Sequence, residues 1–165
     1  MDVDNLSRLI RDIPDFPEEG VVFKDITPVL ADGKAFGDLI TGLAAPYQEA
    51  GISKVAGIDA RGFTLATPVA ERLGAGLIPL RKRGPLPDEY RSDSLAVHTD
   101  AVTQGERVLW ADDVPPAART AAAAIRLLRQ LGADVVGFSV FIELAFLNGA
   151  RHLDGVPLHA LLRYD

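Results

Sequence analysis

Charged side chains directly follow three apolar stretches of the sequence, at positions where they could do chemistry. Arg61 follows the first stretch, Arg81 and Lys82 follow the second, and Asp112 and Asp113 follow the third. Guanidinium and ammonium groups match phosphate oxygens. Carboxylates accept hydrogen bonds from sugar hydroxyls or coordinate Mg²⁺ that a substrate carries in. Together these groups predict a sugar phosphate site, although each one alone is more typical of a solvated cap or loop charge.

The stretch RVLWADDVPPAARTAAAAIRLLRQLG, residues 107–132, indicates a strand, an acidic pair, a tight turn and a helix. Backbone N–H groups at the start of a helix, with the positive end of its dipole behind them, form an anion site. The turn contains two prolines, which have no N–H to donate, followed by Ala117, Ala118, Arg119 and Thr120. We interpret it as an altered phosphate-binding turn rather than a plain connection.

Alternating strands and helices must position these groups. The hydrophobic pattern predicts strands at 54–58, 77–81, 95–98, 108–111, 135–142 and 158–162, and helices at 36–47, 63–73 and 119–131. Strands that are apolar almost throughout, such as VVGFSVFI, favour a parallel sheet covered on both faces. Ligands of such sheets lie beyond the carboxyl ends of the strands, so the polar strand ends are expected to meet in one site.

Outside this alternation the pattern is weaker. Residues 3–10 have the apolar spacing of a short helix, and the proline-rich stretch that follows predicts a loop with a short extended piece at 20–23. Gly51 is placed to cap the helix predicted at 36–47. Residues 81–93, RKRGPLPDEYRSD, predict a second loop, either a lid or a polar connection.

Composition limits the classes of function. A chain of 165 residues with 48% hydrophobic and 24% charged residues predicts one globular domain over residues 1–165. Its net charge of −6 argues against nucleic acid as a partner, because phosphate-backbone binding depends on a basic face. The absence of cysteine excludes disulfides and thiolate metal sites, and no apolar stretch is long enough to cross a bilayer. We therefore expect a cytoplasmic protein with no membrane partner.

Other catalytic patterns find no match in the sequence. It contains neither G-x-x-x-x-G-K-[ST] nor G-x-G-x-x-G, so a nucleoside triphosphatase loop and a dinucleotide fingerprint lack support, and it contains no G-x-S-x-G elbow. The three histidines, His98, His152 and His159, do not have the spacing of metal ligands. Trp110, beside the acidic pair, is interpreted as a core residue of a central strand rather than a platform for a base.

Five motifs, taken in order over almost the whole chain, resemble the adenine phosphoribosyltransferase family: FPEEGVVFKDITPVL, GIDARGF, LIPLRKRGPLP, VLWADD and LHALLRYD. The F-P-x-x-G-x-x-F-[KR]-D-I opening is specific to this family among phosphoribosyltransferases. The resemblance implies a Rossmann-like parallel sheet flanked by helices, of the type I phosphoribosyltransferase kind, with a small hood within residues 1–30 and 82–98. It also implies a homodimer that transfers adenine to phosphoribosyl pyrophosphate with Mg²⁺, giving AMP and pyrophosphate.

The resemblance assigns roles residue by residue. Val22, Phe23 and Lys24 are similar to the adenine pocket, in which backbone polar groups read the edge of the base and the phenylalanine packs on its face. The remaining assignments concern the donor. They place pyrophosphate at Arg61 with Arg81 and Lys82 beside it, the ribose hydroxyls at Asp112 and Asp113, and the 5-phosphate at Ala117, Ala118, Arg119 and Thr120. Arg61 and the two aspartates are the implied catalytic residues, and Mg²⁺ is carried by the donor near the aspartates.

Two departures from the family pattern concern the donor side and leave alternatives open. The family turn reads A-T-G-G-T where this chain has P-A-A-R-T at residues 116–120. The family's hood hairpin is longer, and Pro85 stands where the family has lysine. The alternatives are transfer of adenine to a different phosphosugar pyrophosphate, and a purine or nucleotide binder without catalysis.

Overall fold

The computed structural model of the chain describes residues 1–82, the backbone of residues 89–92, and residues 95–165. Within these residues the chain divides into two compact units, Met1–Gly42 and Leu43–Asp165. The prediction of one domain over residues 1–165 is not decided by this division and stays a prediction. Part of the predicted hood, residues 83–88 and 93–94, lies outside the described residues.

The first unit contains a β-hairpin and short helices. Its elements in chain order are α1 (Val3–Leu9), β1 (Arg11–Pro14), β2 (Val22–Asp25), α2 (Thr27–Ala31) and α3 (Gly33–Ala44), the last of which ends in the second unit. The two strands pair antiparallel, with Pro14 opposite Val22 and Asp12 opposite Lys24. The motif VVFKD therefore forms one strand of a hairpin.

Asp25 links this hairpin to α2. Its Oδ1 accepts hydrogen bonds from the Thr27 backbone N–H (3.0 Å) and hydroxyl (2.8 Å), and its Oδ2 lies 3.2 Å from Arg11 Nε. The Thr27 backbone and side-chain bonds, followed by the Arg11 charge, lower the pKa of this carboxyl. The aspartate of the KDI motif therefore satisfies the first turn of α2 and ties it to β1.

The second unit is built on a five-stranded parallel sheet. A 3₁₀ turn (Ala45–Tyr47) leads into β3 (Lys54–Ile58), α4 (Arg61–Leu73), β4 (Gly76–Leu80), β5 (Glu89–Ser92), β6 (Leu95–His98), β7 (Arg107–Asp112), α5 (Ala118–Gln130), β8 (Asp134–Leu144) and β9 (Leu158–Tyr164), with 3₁₀ turns at Ala145–Leu147 and Gly149–His152 before β9. The strand order is β4-β3-β7-β8-β9, and β5 and β6 form a separate antiparallel pair. The predicted parallel α/β sheet is confirmed.

Helices α4 and α5 cover opposite faces of the sheet. Ala56 and Ile58 of β3 join the buried cluster that contains the apolar side of α5. Gly57, which lies between them, faces α4 on the opposite side of the strand. A Cβ built at Gly57 would lie 2.6 Å from Ala66 Cβ of α4. This strand residue must therefore be glycine for α4 to pack this closely, and α4 begins with Arg61.

Four predictions about individual segments were wrong. The proline-rich stretch after α1 contains β1 and α2 rather than a single loop with one extended piece. The helix predicted at 36–47 ends earlier, at Ala44, because Pro46 lies within the 3₁₀ turn that follows it. Gly51 consequently caps no helix, although its φ of 70° is left-handed as expected for a turn glycine. The loop predicted at 81–93 contains β5. Residues 83–88 and 93 of this stretch lie outside the described part of the chain.

No helix among the described residues is long and apolar enough to span a membrane.

Candidate active site

The carboxyl ends of β3, β4 and β7 open into a polar cavity of about 260 Å³, which we call the donor cavity. It lies in the second unit and is lined by Ile58, Asp59, Ala60, Arg61, Gly62, Lys82, Asp112, Asp113, Val114, Pro115, Pro116, Ala117 and Thr120. The three polar strand ends predicted from the sequence therefore do meet. The reason is topological, since β3 stands between β4 and β7 and all three run parallel.

Arg61 and Asp113 form an ion pair across this cavity. Arg61 is the first residue of α4, and its Nε lies 3.1 Å from Asp113 Oδ2. The Asp113 side chain is only 7% exposed, whereas that of Arg61 is 45% exposed. Asp113 also accepts a hydrogen bond from the Val114 N–H at 3.0 Å. A guanidinium that is oriented from within and open to solvent on its outer side is suited to bind an anionic substrate.

Asp112 lies deeper and is 6% exposed. Its Oδ1 accepts the Asp113 N–H at 2.8 Å, and its Oδ2 accepts the indole N–H of Trp110 at 3.4 Å. Burial, followed by the hydrogen bond and negative charge of the Asp113 carboxyl, raises the pKa of Asp112 well above its ordinary value. Asp112 is therefore costly to keep ionised in the absence of a ligand.

This cost leads to a stability prediction for Asp112→Asn. The pKa of Asp112 is higher in the folded state than in the unfolded state, where it is about 4 as for an exposed aspartate. Wild type therefore loses stability as the pH rises from about 4 through the pKa of the folded state. The asparagine variant has no such loss. We expect it to melt about 2–4 °C above wild type at neutral pH, which is ~1 kcal/mol for a chain of this size. Thermal melts between pH 3 and pH 8 check this, and the difference must shrink towards low pH. A variant that melts below wild type throughout would contradict the prediction.

The altered turn presents the N-terminus of α5 to the donor cavity. Ala117 is the N-cap, in an extended conformation (φ −55°, ψ 150°), and its carbonyl accepts the first helical hydrogen bond, from Ala121 N–H at 2.8 Å. The N–H groups of Ala118, Arg119 and Thr120 precede that bond, so they have no partner within the helix. The alanines thus still allow a helix N-terminus of the kind that binds phosphate.

The structure separates the two basic residues that follow β4. The Lys82 N–H donates to Asp59 Oδ1 at 3.0 Å, and both residues line the donor cavity. Arg81 instead bridges to Ala96 of β6, through backbone hydrogen bonds of 3.0 and 2.8 Å in opposite directions. Neither Arg81 nor Arg119 is among the residues that line the cavity. Their predicted contacts with phosphate stay predictions.

A second, apolar cavity of about 170 Å³ lies on the other side of the same turn. Val114, Pro115, Leu144 and Leu147 contribute to its wall. Leu144 and Leu147 were not predicted, because leucines after a buried strand carry no chemical signal in the sequence. Their position beside the turn is visible only in the folded structure.

The predicted base-binding residues lie on β2 of the first unit. Val22 is half exposed, and the ring of Phe23 packs edge-to-face on Phe16 with centroids 5.4 Å apart. Lys24 Nζ lies 2.8 Å from Asp12 Oδ1 on the paired strand. The side chain of Lys24 is therefore held within the hairpin, and the predicted contact of this segment with a base stays a prediction.

Comparisons with known proteins agree with this geometry. The phosphoribosyl transferase domain family matches residues 29–153 of the chain. The adenine phosphoribosyltransferase of Myxococcus xanthus is 45% identical over 171 residues, which cover 98% of this chain and 93% of the relative. The chain belongs to the adenine phosphoribosyltransferase family. Family membership makes it a pentosyltransferase, and the resemblance found in the five sequence motifs is confirmed.

Solved structures of the family have the same fold. Adenine phosphoribosyltransferase from Thermoanaerobacter pseudethanolicus matches with a TM-score of 0.90 and 40% identity, over 99% of this chain and 100% of that one. The Giardia lamblia enzyme complexed with 9-deazaadenine matches with a TM-score of 0.90 and 31% identity, over 100% of this chain and 99% of that one. The predicted type I phosphoribosyltransferase fold is confirmed.

Proposed function

We propose that the protein transfers adenine to phosphoribosyl pyrophosphate and releases AMP and pyrophosphate. One observation carries this conclusion: a member of the adenine phosphoribosyltransferase family has basic, acidic and helix N-terminal groups together around one donor cavity. The sequence alone left open another sugar donor or a role without catalysis. The retained cavity favours the family reaction, because each chemical part of the donor finds a matching group there.

Different residues of the donor cavity match the three parts of the donor, which are the pyrophosphate, the ribose and the 5-phosphate. Arg61 and the Lys82 strand end are suited to pyrophosphate, because their positive charges lie on the side of β3 and β4. Asp112 and Asp113 accept hydrogen bonds from the ribose hydroxyls. The N–H groups at the start of α5, with the Thr120 hydroxyl, bind the 5-phosphate. We propose these roles for the site residues.

The reaction breaks the bond between the sugar C1 and a pyrophosphate oxygen, which keeps the electron pair. A bond forms from C1 to adenine N9, and the N9 proton is balanced by the charge of the released pyrophosphate, which can take it up. Positive charge develops on the sugar while negative charge leaves with pyrophosphate. The carboxylates of Asp112 and Asp113 stabilise the first charge, and Arg61 stabilises the second. The buried position of the aspartates strengthens the first effect, since charges interact more strongly where water is excluded.

Mg²⁺ fits this site as an ion that arrives with the donor. Among the described residues there is no group of three acidic, histidine or cysteine side chains that could hold a metal ion without other ligands. Carboxylate and phosphate oxygens are the ligands Mg²⁺ prefers, so pyrophosphate must supply most of them. When bound, the ion neutralises charge on the leaving pyrophosphate. The protein's part is to hold that pyrophosphate at Arg61 and the ribose at the aspartates.

For the base we propose the hairpin segment of Val22, Phe23 and Lys24. Two observations on the first unit support it: Val22 is half exposed, and the Lys24 side chain is engaged with Asp12. Backbone N–H and C=O groups can distinguish adenine by the donors and acceptors on its edge. The solved relative from Giardia lamblia is complexed with an adenine analogue.

The decisive experiment incubates purified protein with Mg²⁺, adenine and phosphoribosyl pyrophosphate and follows AMP and pyrophosphate by mass spectrometry against a control without enzyme. We expect both products in equal amounts. Adenine binding without any product would contradict the proposal. Turnover with another sugar pyrophosphate, but none with phosphoribosyl pyrophosphate, would support the alternative in which a different phosphosugar pyrophosphate is the donor.

Arg61→Ala tests the proposed pyrophosphate contact. The variant loses a charge-assisted contact to the leaving group, so kcat/KM for the donor should fall about 10- to 100-fold, while the KM for adenine stays the same. Steady-state kinetics with each substrate varied in turn measure both. Arg163→Ala is the matched control, because Arg163 is an exposed arginine of β9 that pairs only loosely with Asp165 at 3.5 Å. Equal losses in the two variants would remove Arg61 from the site.

We also propose a homodimer in the cytoplasm. The dimer is what the family resemblance implies, and light scattering of the purified protein at several concentrations would measure it. The cytoplasmic location follows from the donor, because a multiply charged sugar phosphate does not cross a bilayer unaided. A single-chain mass at every concentration would contradict the dimer.

A further inference from the structure

The chain has one tryptophan, and it lies directly beneath the acidic pair. Trp110 is fully buried in β7, and its ring stacks on Phe138 with centroids 5.6 Å apart and planes 27° apart. Alternate residues of a strand point to the same face, which places the indole next to the Asp112 side chain. Its N–H points at Asp112 Oδ2, 3.4 Å away. A buried indole N–H needs an acceptor, and among the described residues that acceptor is this carboxylate.

We infer that Trp110 is a positioning residue for the donor, because its indole N–H holds the Asp112 carboxylate in the orientation that the ribose hydroxyls require. The inference rests on the proposed function. The two protein donors use one lone pair on each carboxylate oxygen, since Oδ1 accepts the Asp113 N–H and Oδ2 accepts the indole N–H. Each oxygen has a second lone pair, and Asp112 lines the donor cavity where the ribose is proposed to bind.

The start of α4 also lies close to the carboxylate. A Cβ built at Gly62 in the first turn of α4 would lie 3.5 Å from Asp112 Oδ2, the same oxygen that accepts the indole N–H. Both the indole and the start of α4 therefore restrict the position of this oxygen. Removal of the N–H would leave Oδ2 against a buried apolar ring, a position in which a charged oxygen is unfavourable.

Other charged groups around the donor cavity set the background for any pH effect. They are Asp113 next along the chain, Arg61 at the start of α4, Asp59 after β3 and Lys82 after β4. Arg61 is paired with Asp113, and the Lys82 N–H is bound to Asp59. The indole N–H donates to Asp112 and lowers its pKa, so its removal should shift the titration of Asp112 upwards.

Because the chain has one tryptophan, an analogue supplied in place of tryptophan replaces Trp110 alone. Expression in a tryptophan auxotroph can replace it by β-(benzothiophen-3-yl)alanine, which keeps the bicyclic shape and the stacking on Phe138 but has no N–H. Incorporation of 5-fluorotryptophan, which retains the N–H, is the matched control. Trp110→Phe, made by mutation, gives an independent variant without the N–H. Each protein is assayed for the KM of both substrates and for kcat/KM as a function of pH.

We expect the benzothiophene protein to show a KM for phosphoribosyl pyrophosphate about three- to tenfold above the fluorotryptophan control, as for one lost hydrogen bond. The KM for adenine should match the control, and the acid limb of kcat/KM for the donor should move to higher pH. If Trp110 contributes only to packing, the two proteins should have equal KM values for the donor and equal pH profiles. That result would overturn the inference.

A measurement without turnover separates this inference from the proposed function. Carbon-13 NMR can follow the Asp112 carboxyl in ligand-free protein, with the Asp112→Asn variant to assign the signal. A higher titration midpoint in the benzothiophene protein than in the control supports the contact, whether or not AMP is formed. An unchanged midpoint overturns it. Absence of AMP with every protein, including wild type, would count against the proposed function instead.

Discussion

Asp112→Asn combined with Asp113→Asn is expected to abolish binding of phosphoribosyl pyrophosphate while adenine still binds. The double variant removes both carboxylates from the donor cavity and leaves Arg61 without its acidic partner. Loss of two charge-assisted acceptors for the ribose hydroxyls should weaken donor affinity by about 100- to 1000-fold. Calorimetry with the donor and Mg²⁺, and separately with adenine, measures the two affinities.

The matched control replaces two exposed aspartates of the same unit, Asp134 and Asp154, by asparagine. Their side chains are 58% and 72% exposed, so this variant has the same change in net charge without a change in the cavity. We expect wild-type donor affinity from it. Unchanged donor affinity in the Asp112 and Asp113 variant would exclude the acidic pair from the site. Loss of donor affinity in both variants would indicate a general charge effect.

Gly57→Ala is expected to destabilise the protein strongly although Gly57 lies outside the cavity lining. Its Cβ would lie 2.6 Å from Ala66 Cβ and 2.8 Å from the Gly62 carbonyl oxygen, so β3 and α4 must move apart. Overpacking of this kind costs about 1–3 kcal/mol, which is about 2–12 °C in melting temperature for a chain of this size. Because α4 begins at Arg61, activity should fall more than the stability loss explains.

Gly37→Ala is the control for this prediction. Gly37 lies within α3, and nothing is within 4 Å of a Cβ built there. Alanine is favoured over glycine inside a helix, so this variant should gain up to about 1 kcal/mol of stability. Thermal and urea unfolding of both variants compare the two sites. A Gly57→Ala protein as stable as wild type would show that the contact between β3 and α4 is looser than the structure indicates.

Strands and helices with a clean apolar period could be predicted from the sequence. The bounds of β3 agree residue for residue with the predicted strand at 54–58, and α5 begins one residue before the prediction. The elements that were missed are short and lie beside prolines. Strand β1 ends in Pro14 and α2 has a proline in its first turn, where proline is tolerated because that N–H has no helical partner. Residue composition alone cannot distinguish these cases from loops.

The site was predictable as a set of strand ends but not in its internal contacts. The charges after β3, β4 and β7 identify the edge of the sheet where the donor cavity lies, since parallel strands end together. The sequence does not show that Arg81 bridges to Ala96 while Lys82 lines the cavity, because that depends on the pairing with β6. It also assigns Trp110 to the core, which is correct for the ring but does not reveal the N–H bound to Asp112.

The two prolines of the turn before α5 have a thermodynamic consequence for donor binding. A glycine-rich turn is free to adopt many conformations and must give up that freedom when it closes around phosphate. Pro115 and Pro116 have fixed φ angles, and Pro115 lies close to Gly149, where an added Cβ would be 3.1 Å from it. Compared with a glycine-rich turn, this turn therefore has fewer N–H donors and loses less conformational entropy when it binds phosphate. Donor binding should therefore have a smaller favourable enthalpy and a smaller entropic penalty than binding to a family member with the glycine turn.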